Sequence, residues 1–210
     1  MSIPFKRKNN IPKSGNECTK NNGLELVFIL DRSGSMYHLT ADTIGGFNSL
    51  LDKHREEYKG ILLTTVLFND KTCMIHDRIS STQAEHLTDK DYVAGGNTAL
   101  YDAIGSTIEH IEKIHRYIRP EDVPEKTMFF IITDGLENAS TRYRLGQIQT
   151  MIDEKRNQLG WEFVFFGANI EAREVAREMH MDANRAHDFE ATHVSMFCCL
   201  ADDCDAELPF

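Results

Sequence analysis

Short apolar runs alternate along the chain with longer segments in which apolar residues recur every three or four positions. The runs are rich in β-branched and aromatic residues, which is typical of strands buried on both faces. Four runs have this character, namely residues 24–30 (LELVFIL), 61–68 (ILLTTVLF), 126–133 (KTMFFIIT) and 161–166 (WEFVFF). We predict two further strands, one over residues 72–79 after a turn at Asn69-Asp70 and a short one near residues 185–187.

The segments of helical periodicity predict amphipathic helices between the strands. In the clearest of them, Leu100, Ile104, Ile108 and Ile111 form one apolar stripe. We predict helices over residues 44–58, 98–117, 142–159 and 171–180, a short helix near residues 82–87, and a last helix over residues 190–200. This alternation indicates a three-layer, Rossmann-like α/β fold, in which a mostly parallel central sheet has one antiparallel edge strand and is flanked by helices.

The length of 210 residues suits one domain with a well-buried core. Residues 1–23 are polar and cannot bury enough apolar surface to offset the entropy lost on ordering, so we predict a flexible N-terminal arm there. The domain itself is expected over residues 24–200, and an acidic C-terminal tail is expected over residues 201–210.

Charge and cysteine content narrow the classes of partner and the compartment. A formal charge of -10 repels phosphate backbones and anionic lipids, so we expect no nucleic acid and no membrane among the partners. The five cysteines are odd in number and form no C-x-x-C pair, which indicates neither a disulfide framework nor a zinc ribbon. The cluster Cys198, Cys199 and Cys204 has no histidine at ligand spacing. Since no apolar signal segment follows the basic start, we expect a cytoplasmic protein.

Polar residues follow two of the buried strands at the points where those strands end. Asp31 comes directly after residues 24–30, and Asp134 comes directly after residues 126–133. Ligands of open α/β sheets bind outside the carboxyl ends of the strands, so the two carboxylates share one rim if their strands are neighbours. In an extended loop Asp31, Ser33 and Ser35 point the same way.

A second loop adds Thr98 after the diglycine at residues 95–96, just before a predicted helix. The candidate ligands are then Asp31, Ser33, Ser35, Thr98 and Asp134. All five are hard oxygen donors, which select against zinc and copper. Two carboxylates with neutral hydroxyls and room for water fit Mg²⁺ best, with Mn²⁺ or Ca²⁺ as alternatives.

The stretches that contain these residues, FILDRSGSM, GGNTALYDAI and FIITDG, resemble those of a von Willebrand factor A (VWA) domain with an intact metal-ion-dependent adhesion site. The resemblance covers about residues 24–200 and is closest to bacterial and intracellular members. It implies a six-stranded sheet, hydroxyl contacts to the ion from the serines and the threonine, and aspartates that act directly or through water. It also implies a protein partner whose Asp or Glu fills an open coordination position, a last helix that shifts on binding, and no enzymatic activity.

Three other interpretations of the same residues stand beside this one. Asp31, Ser33 and Ser35 on their own are typical of a capping loop. A Mg²⁺-dependent phosphoryl hydrolase with Asp31 as nucleophile is an alternative function, although position 33 is serine where an Asp-x-Asp motif needs a second acid. A nucleotide-binding domain ranks last, because the chain has no glycine-rich phosphate motif. Asp102 is expected to have a structural role.

Overall fold

The alternating pattern folds into one central sheet with helices on both faces. The computed structural model describes residues 23–57, 60–168 and 170–189. In this part of the chain the strands are β1 (Leu24–Asp31), β2 (Leu62–Phe68), β3 (Thr72–Ser80), β4 (Lys126–Thr133), β5 (Glu162–Ala168) and β6 (Ala186–Phe189). The helices are α1 (Thr40–Glu57), α2 (Leu100–Tyr117), α3 (Leu145–Leu159) and α4 (Ala172–Glu178).

The strands lie in the order β3-β2-β1-β4-β5-β6. Neighbours are parallel except for β2 and β3, which form the predicted antiparallel edge. From β1 the chain adds β2 and β3 on one side and β4 to β6 on the other. The strand order therefore reverses between β1 and β4, which is where open α/β sheets bind ligands. The predicted fold class is confirmed.

Alternate side chains of β1 face two separate apolar layers, as the two-residue period of a strand requires. The layer on the α1 side contains Leu26, Phe28 and Leu30, and the rings of Phe28 and Phe130 stack there with centroids 5.1 Å apart. The layer on the other side contains Val27 and Ile29 together with the apolar stripes of α2 and α3. Because apolar layers cover both faces of the sheet, β1 and β4 are tightly packed, and they fix the starting points of the loops that follow them.

Five helix predictions differ from the structure, and in the smallest of these differences α4 covers Ala172–Glu178 rather than residues 171–180. The segment over residues 82–87 is not helical, since a turn at residues 81–83 is followed by irregular backbone. Its last residue, Leu87, is held by the Asn48 side chain, which donates to the Leu87 carbonyl at 2.9 Å and accepts from its amide at 2.8 Å. Helix α1 begins at Thr40 rather than residue 44, after a 3-10 helix (Gly34–Leu39) that buries Met36 and Leu39.

Helices α2 and α3 each begin two or three residues later than predicted. Thr98 is bonded through its backbone to Asn138 in a neighbouring loop, so α2 begins at Leu100. The Asp102 carboxylate accepts the amides of residues 141–143, so α3 begins at Leu145. Asp102 thereby has the expected structural role.

The short strand predicted near residues 185–187 is present as β6. Among the residues that the structure describes, no helix combines the length and the hydropathy that a membrane crossing needs. The arm predicted over residues 1–23 lies outside the described residues except for its last position, and the helix over residues 190–200 and the tail over 201–210 lie wholly outside them.

Candidate metal site

Three loops meet at the carboxyl edge of the sheet, beside the point where the strand order reverses. We define them as the site loops: residues 31–35 after β1, residues 95–98 before α2, and residues 134–138 after β4. Since β1 and β4 pair directly, Asp31, the last residue of β1, and Asp134, the first residue after β4, lie at the ends of adjacent strands. The condition on which the sequence prediction depended is therefore met.

Asp31 is completely buried, and both of its carboxylate oxygens accept a hydrogen bond. The Ser33 amide donates to Oδ1 at 2.6 Å, and the Thr133 hydroxyl donates to Oδ2 at 2.6 Å. Burial raises the pKa of Asp31 to about 6, and the hydrogen bonds from Thr133 and Ser33 offset only part of that rise. The ionised carboxylate is thus oriented, but it lacks a compensating positive charge.

The serine hydroxyls connect Asp31 to Asp134. Ser33 Oγ lies 3.1 Å from Ser35 Oγ, and Ser35 Oγ donates to Asp134 Oδ1 at 2.5 Å. Burial also raises the pKa of Asp134, while the Ser35 hydroxyl and the nearby His38 oppose this rise. Ser35 is exposed, whereas Ser33 and Asp134 are buried, so the polar set opens to solvent on one side.

The Thr98 hydroxyl, in the second site loop, lies near the same group of oxygen atoms. A Cβ atom on Gly135 would lie 3.3 Å from Thr98 Oγ1 and 3.5 Å from Ser35 Oγ. The two hydroxyls therefore converge on the backbone of Gly135, where a side chain would crowd both of them. The structure brings together all five residues that the sequence singled out.

Backbone hydrogen bonds join the first and second site loops. The Gly34 amide donates to the Gly96 carbonyl at 3.0 Å, and the Gly95 amide donates to the Arg32 carbonyl at 2.9 Å. Asn69 fixes the second loop from the end of β2, because its side chain donates to the Gly95 carbonyl at 2.7 Å. Gly96 adopts a φ of 83°, a conformation that L side chains rarely adopt. The site is held by the fold before any ligand arrives.

The protein supplies little positive charge to balance the two carboxylates of this buried site. No lysine or arginine of the described ranges pairs with Asp31 or Asp134. Those ranges also contain no group of three or more His, Cys, Asp and Glu residues that could hold an ion. Two carboxylates and three hydroxyls are a donor set for a hard divalent cation, and they are unsuited to a soft one.

Two supporting residues escaped the sequence analysis. The Thr133 hydroxyl donates a hydrogen bond to Asp31 Oδ2. The sequence feature that could have indicated this role is its position directly before Asp134. Tyr92 is buried, and its hydroxyl donates to the backbone carbonyl of Asp31. Tyr92 lies in the long loop between β3 and α2. Nothing in the sequence of that loop indicates that its hydroxyl contacts the backbone of Asp31.

No protein-family model and no curated protein matches the sequence. Solved structures do match its fold. The von Willebrand factor domain of the type V pili tip protein Mfa5 from Porphyromonas gingivalis is 10% identical, with a TM-score of 0.64 over 89% of this chain and 96% of that one. Proximal thread matrix protein 1 from the mussel byssus, with a zinc-occupied adhesion-site motif, is 12% identical, with a TM-score of 0.61 over 87% of this chain and 46% of that one.

A third similar structure is the ArnB paralog VWA2 from Sulfolobus acidocaldarius, which is 16% identical with a TM-score of 0.53 over 80% of this chain. The chain spans 41% of that protein, so it corresponds to one part of it. Together with the sheet order, these likenesses show that the chain has the von Willebrand factor A fold.

Proposed function

We propose that this chain is a protein-binding module that holds one divalent ion, preferentially Mg²⁺, with Asp31, Ser33, Ser35, Thr98 and Asp134. An Asp or Glu side chain of a protein partner completes the coordination. When bound, the ion supplies a fixed positive charge at which an acidic side chain can be recognised. The observation that carries the proposal is the convergence of five oxygen-bearing side chains from three loops around two buried carboxylates.

Electrostatics support a cation at this place. A buried ionised carboxylate without a positive neighbour is unfavourable, and the raised pKa of Asp31 expresses that cost. A divalent ion would offset the charges of both carboxylates at once. The mussel protein with zinc in its adhesion-site motif supports the idea that this fold can hold a divalent ion at such a site.

The residues at the site favour binding over hydrolysis. A hydrolase that used Asp31 as its nucleophile would need a second acid two residues further on, as in the Asp-x-Asp motif. The residue two positions on is serine, so the second acid of an Asp-x-Asp hydrolase is missing. We therefore propose that the module binds its partner without catalysing a reaction on it.

Mg²⁺ is expected to raise the melting temperature of the wild-type protein at pH 7.5 in a saturable way. An ion that binds only the native state, at a concentration one hundred times its Kd, stabilises that state by about 2.7 kcal/mol. This corresponds to roughly 5–10 °C for a domain of this size. Ser35→Ala removes a ligand and should reduce the shift strongly, while Ser49→Ala, an exposed hydroxyl on α1, should retain it.

The same shift should fade as the pH falls below about 6, because the proton on Asp31 then competes with the ion. The apparent affinity is expected to fall about tenfold for each pH unit below that value. Differential scanning fluorimetry across pH and Mg²⁺ concentration measures both effects. An equal shift in wild type and Ser35→Ala would contradict the assignment.

A further inference from the structure

Large hydrophobic side chains are exposed on each of the site loops or directly beside them. Tyr37 is 76% exposed, Val93 is 60% exposed and Leu136 is 61% exposed. Tyr37 lies two residues after Ser35, Val93 two residues before Gly95, and Leu136 directly after Gly135. We call these three residues the apolar rim.

The local structure explains why rim side chains point outward. In the 3-10 helix Gly34–Leu39, Met36 is buried and Tyr37 is exposed; just before the second site loop, Tyr92 is buried and Val93 is exposed. The buried neighbour anchors the backbone in each case. Hydrogen bonds join the first two loops, and Ser35 lies close to Gly135 of the third. Each rim residue therefore lies in, or within two residues of, a loop that contributes to the same polar centre.

Single exposed hydrophobic residues are common on protein surfaces and need no explanation. Three of them grouped around a polar centre are a different observation, because apolar groups rimming polar ones are typical of interaction sites. Tyr is also among the residues that contribute most to protein interfaces. In the described part of the chain, the other exposed large hydrophobic residues are Tyr117 and Leu159, at the carboxyl ends of α2 and α3, and Met74 on β3.

The charge at the ion-loaded site explains why the apolar rim would contribute to the affinity for a partner. Asp31 and Asp134 together offset the formal charge of a divalent ion, so the loaded centre attracts a distant acidic side chain only weakly, although direct coordination of that side chain to the ion stays favourable. The local contact between an acidic side chain and the ion gives direction and specificity, but affinity must come mainly from burial of apolar surface. The rim is the apolar surface that the described part of the chain offers at that place.

From this arrangement we infer that the partner presents its acidic residue within a protein segment whose flanking side chains are large and apolar. The inference rests on the proposed function and specifies the chemistry of the partner. The carboxylate meets the ion while the flanking side chains pack on Tyr37, Val93 and Leu136. A segment with an acid between small polar residues is accordingly a poor partner.

Three fluorescein-labelled peptides test this inference by fluorescence anisotropy, in Mg²⁺ and in EDTA. Their central triplets are Phe-Glu-Phe, Ser-Glu-Ser and Phe-Gln-Phe, within the same glycine-rich frame. In Mg²⁺ the Phe-Glu-Phe peptide is expected to bind on the order of tenfold or more tightly than Ser-Glu-Ser. Phe-Gln-Phe should bind as weakly as Phe-Glu-Phe does in EDTA.

The double variant Tyr37→Ser/Leu136→Ser should lose the preference for flanking phenylalanines while its Mg²⁺-induced thermal shift stays as in wild type. The matched control, Tyr117→Ser/Leu159→Ser, should retain both.

Equal binding of the two glutamate peptides, with Phe-Gln-Phe weaker, would overturn this inference and leave the proposed function standing. Absence of a Mg²⁺ shift, or equal binding of Phe-Gln-Phe and Phe-Glu-Phe, would overturn the proposed function. Failure of both glutamate peptides to bind at about millimolar concentration, with the shift intact, would also overturn the inference.

Discussion

Asp31→Asn is expected to stabilise the metal-free protein at pH 7.5 and to abolish its response to Mg²⁺. The rise in the pKa of Asp31 from 3.8 to about 6 means that ionisation of this buried carboxylate works against folding. Removal of the charge should increase the free energy of unfolding by up to about 3 kcal/mol, or by up to roughly 6–12 °C in melting temperature.

The amide can replace the carboxylate without loss of hydrogen bonds. Its oxygen can accept from the Ser33 amide, as Asp31 Oδ1 does. Its nitrogen can donate to Thr133 Oγ1, whose hydroxyl can then donate to the Gly135 carbonyl, 3.1 Å away. The substitution therefore removes a buried charge and keeps the local packing.

The direction of the pH dependence distinguishes this explanation from a simple packing effect. Because the folded-state pKa is raised, protonation of Asp31 stabilises wild type fully below about 3.8, and that contribution is lost as the pH rises through about 6. The advantage of Asp31→Asn should therefore be full at pH 7.5 and shrink towards pH 4. Asp102→Asn is the control of opposite sign, because amide hydrogen bonds hold the pKa of Asp102 low. It should lose stability and keep the Mg²⁺ shift. A metal-free Asp31→Asn protein that melts below wild type at pH 7.5 would contradict the account.

Glu25→Gln is expected to destabilise the protein by about 3–5 kcal/mol and to leave its response to Mg²⁺ unchanged. Glu25 is fully buried at the amino end of β1. It accepts a hydrogen bond from Arg78 Nε at 2.5 Å and lies 2.6 Å from His115 Nε2. A neutral amide would leave the largely buried Arg78 guanidinium without a counter-charge. Thermal unfolding should show a decrease of roughly 10 °C.

The control for this variant is Asp77→Asn, which breaks an exposed pair with His110 and should change stability by less than about 1 kcal/mol. Glu25 lies six residues before Asp31 along β1, or roughly 20 Å at the rise of a strand. The Mg²⁺ shift should therefore survive in Glu25→Gln. A small loss of stability would show that the buried pair is less important than its geometry indicates.

The sequence could predict the sheet because its strands are continuous apolar runs, and it could predict the candidate site because parallel strands end at one edge. The first residues of the helices were harder to predict from the sequence, because they depend on contacts between distant segments. Asp102 holds residues 141–143 in a loop, and the Asn48 side chain holds Leu87. Such side-chain-to-backbone contacts have no periodic signal.

The same limit applies within the site. Asp31, Ser33 and Ser35 lie in one short motif, and Thr98 and Asp134 follow features visible in the sequence. Tyr92 contacts the Asp31 carbonyl across 61 residues of chain, which no local pattern reveals. The apolar rim was likewise accessible only from the structure, because exposure of Tyr37, Val93 and Leu136 depends on which of their neighbours are buried.

The most direct test of the account is the position of the ion itself. Crystals grown or soaked with Mn²⁺ in place of Mg²⁺ can be examined for anomalous scattering from the metal. The account predicts one strong peak within roughly 2.0–2.6 Å of the Ser33 and Ser35 hydroxyl oxygens, which is the range of oxygen ligands to hard divalent ions. A peak out of reach of both hydroxyls, or no peak at this edge of the sheet at saturating Mn²⁺, would contradict it.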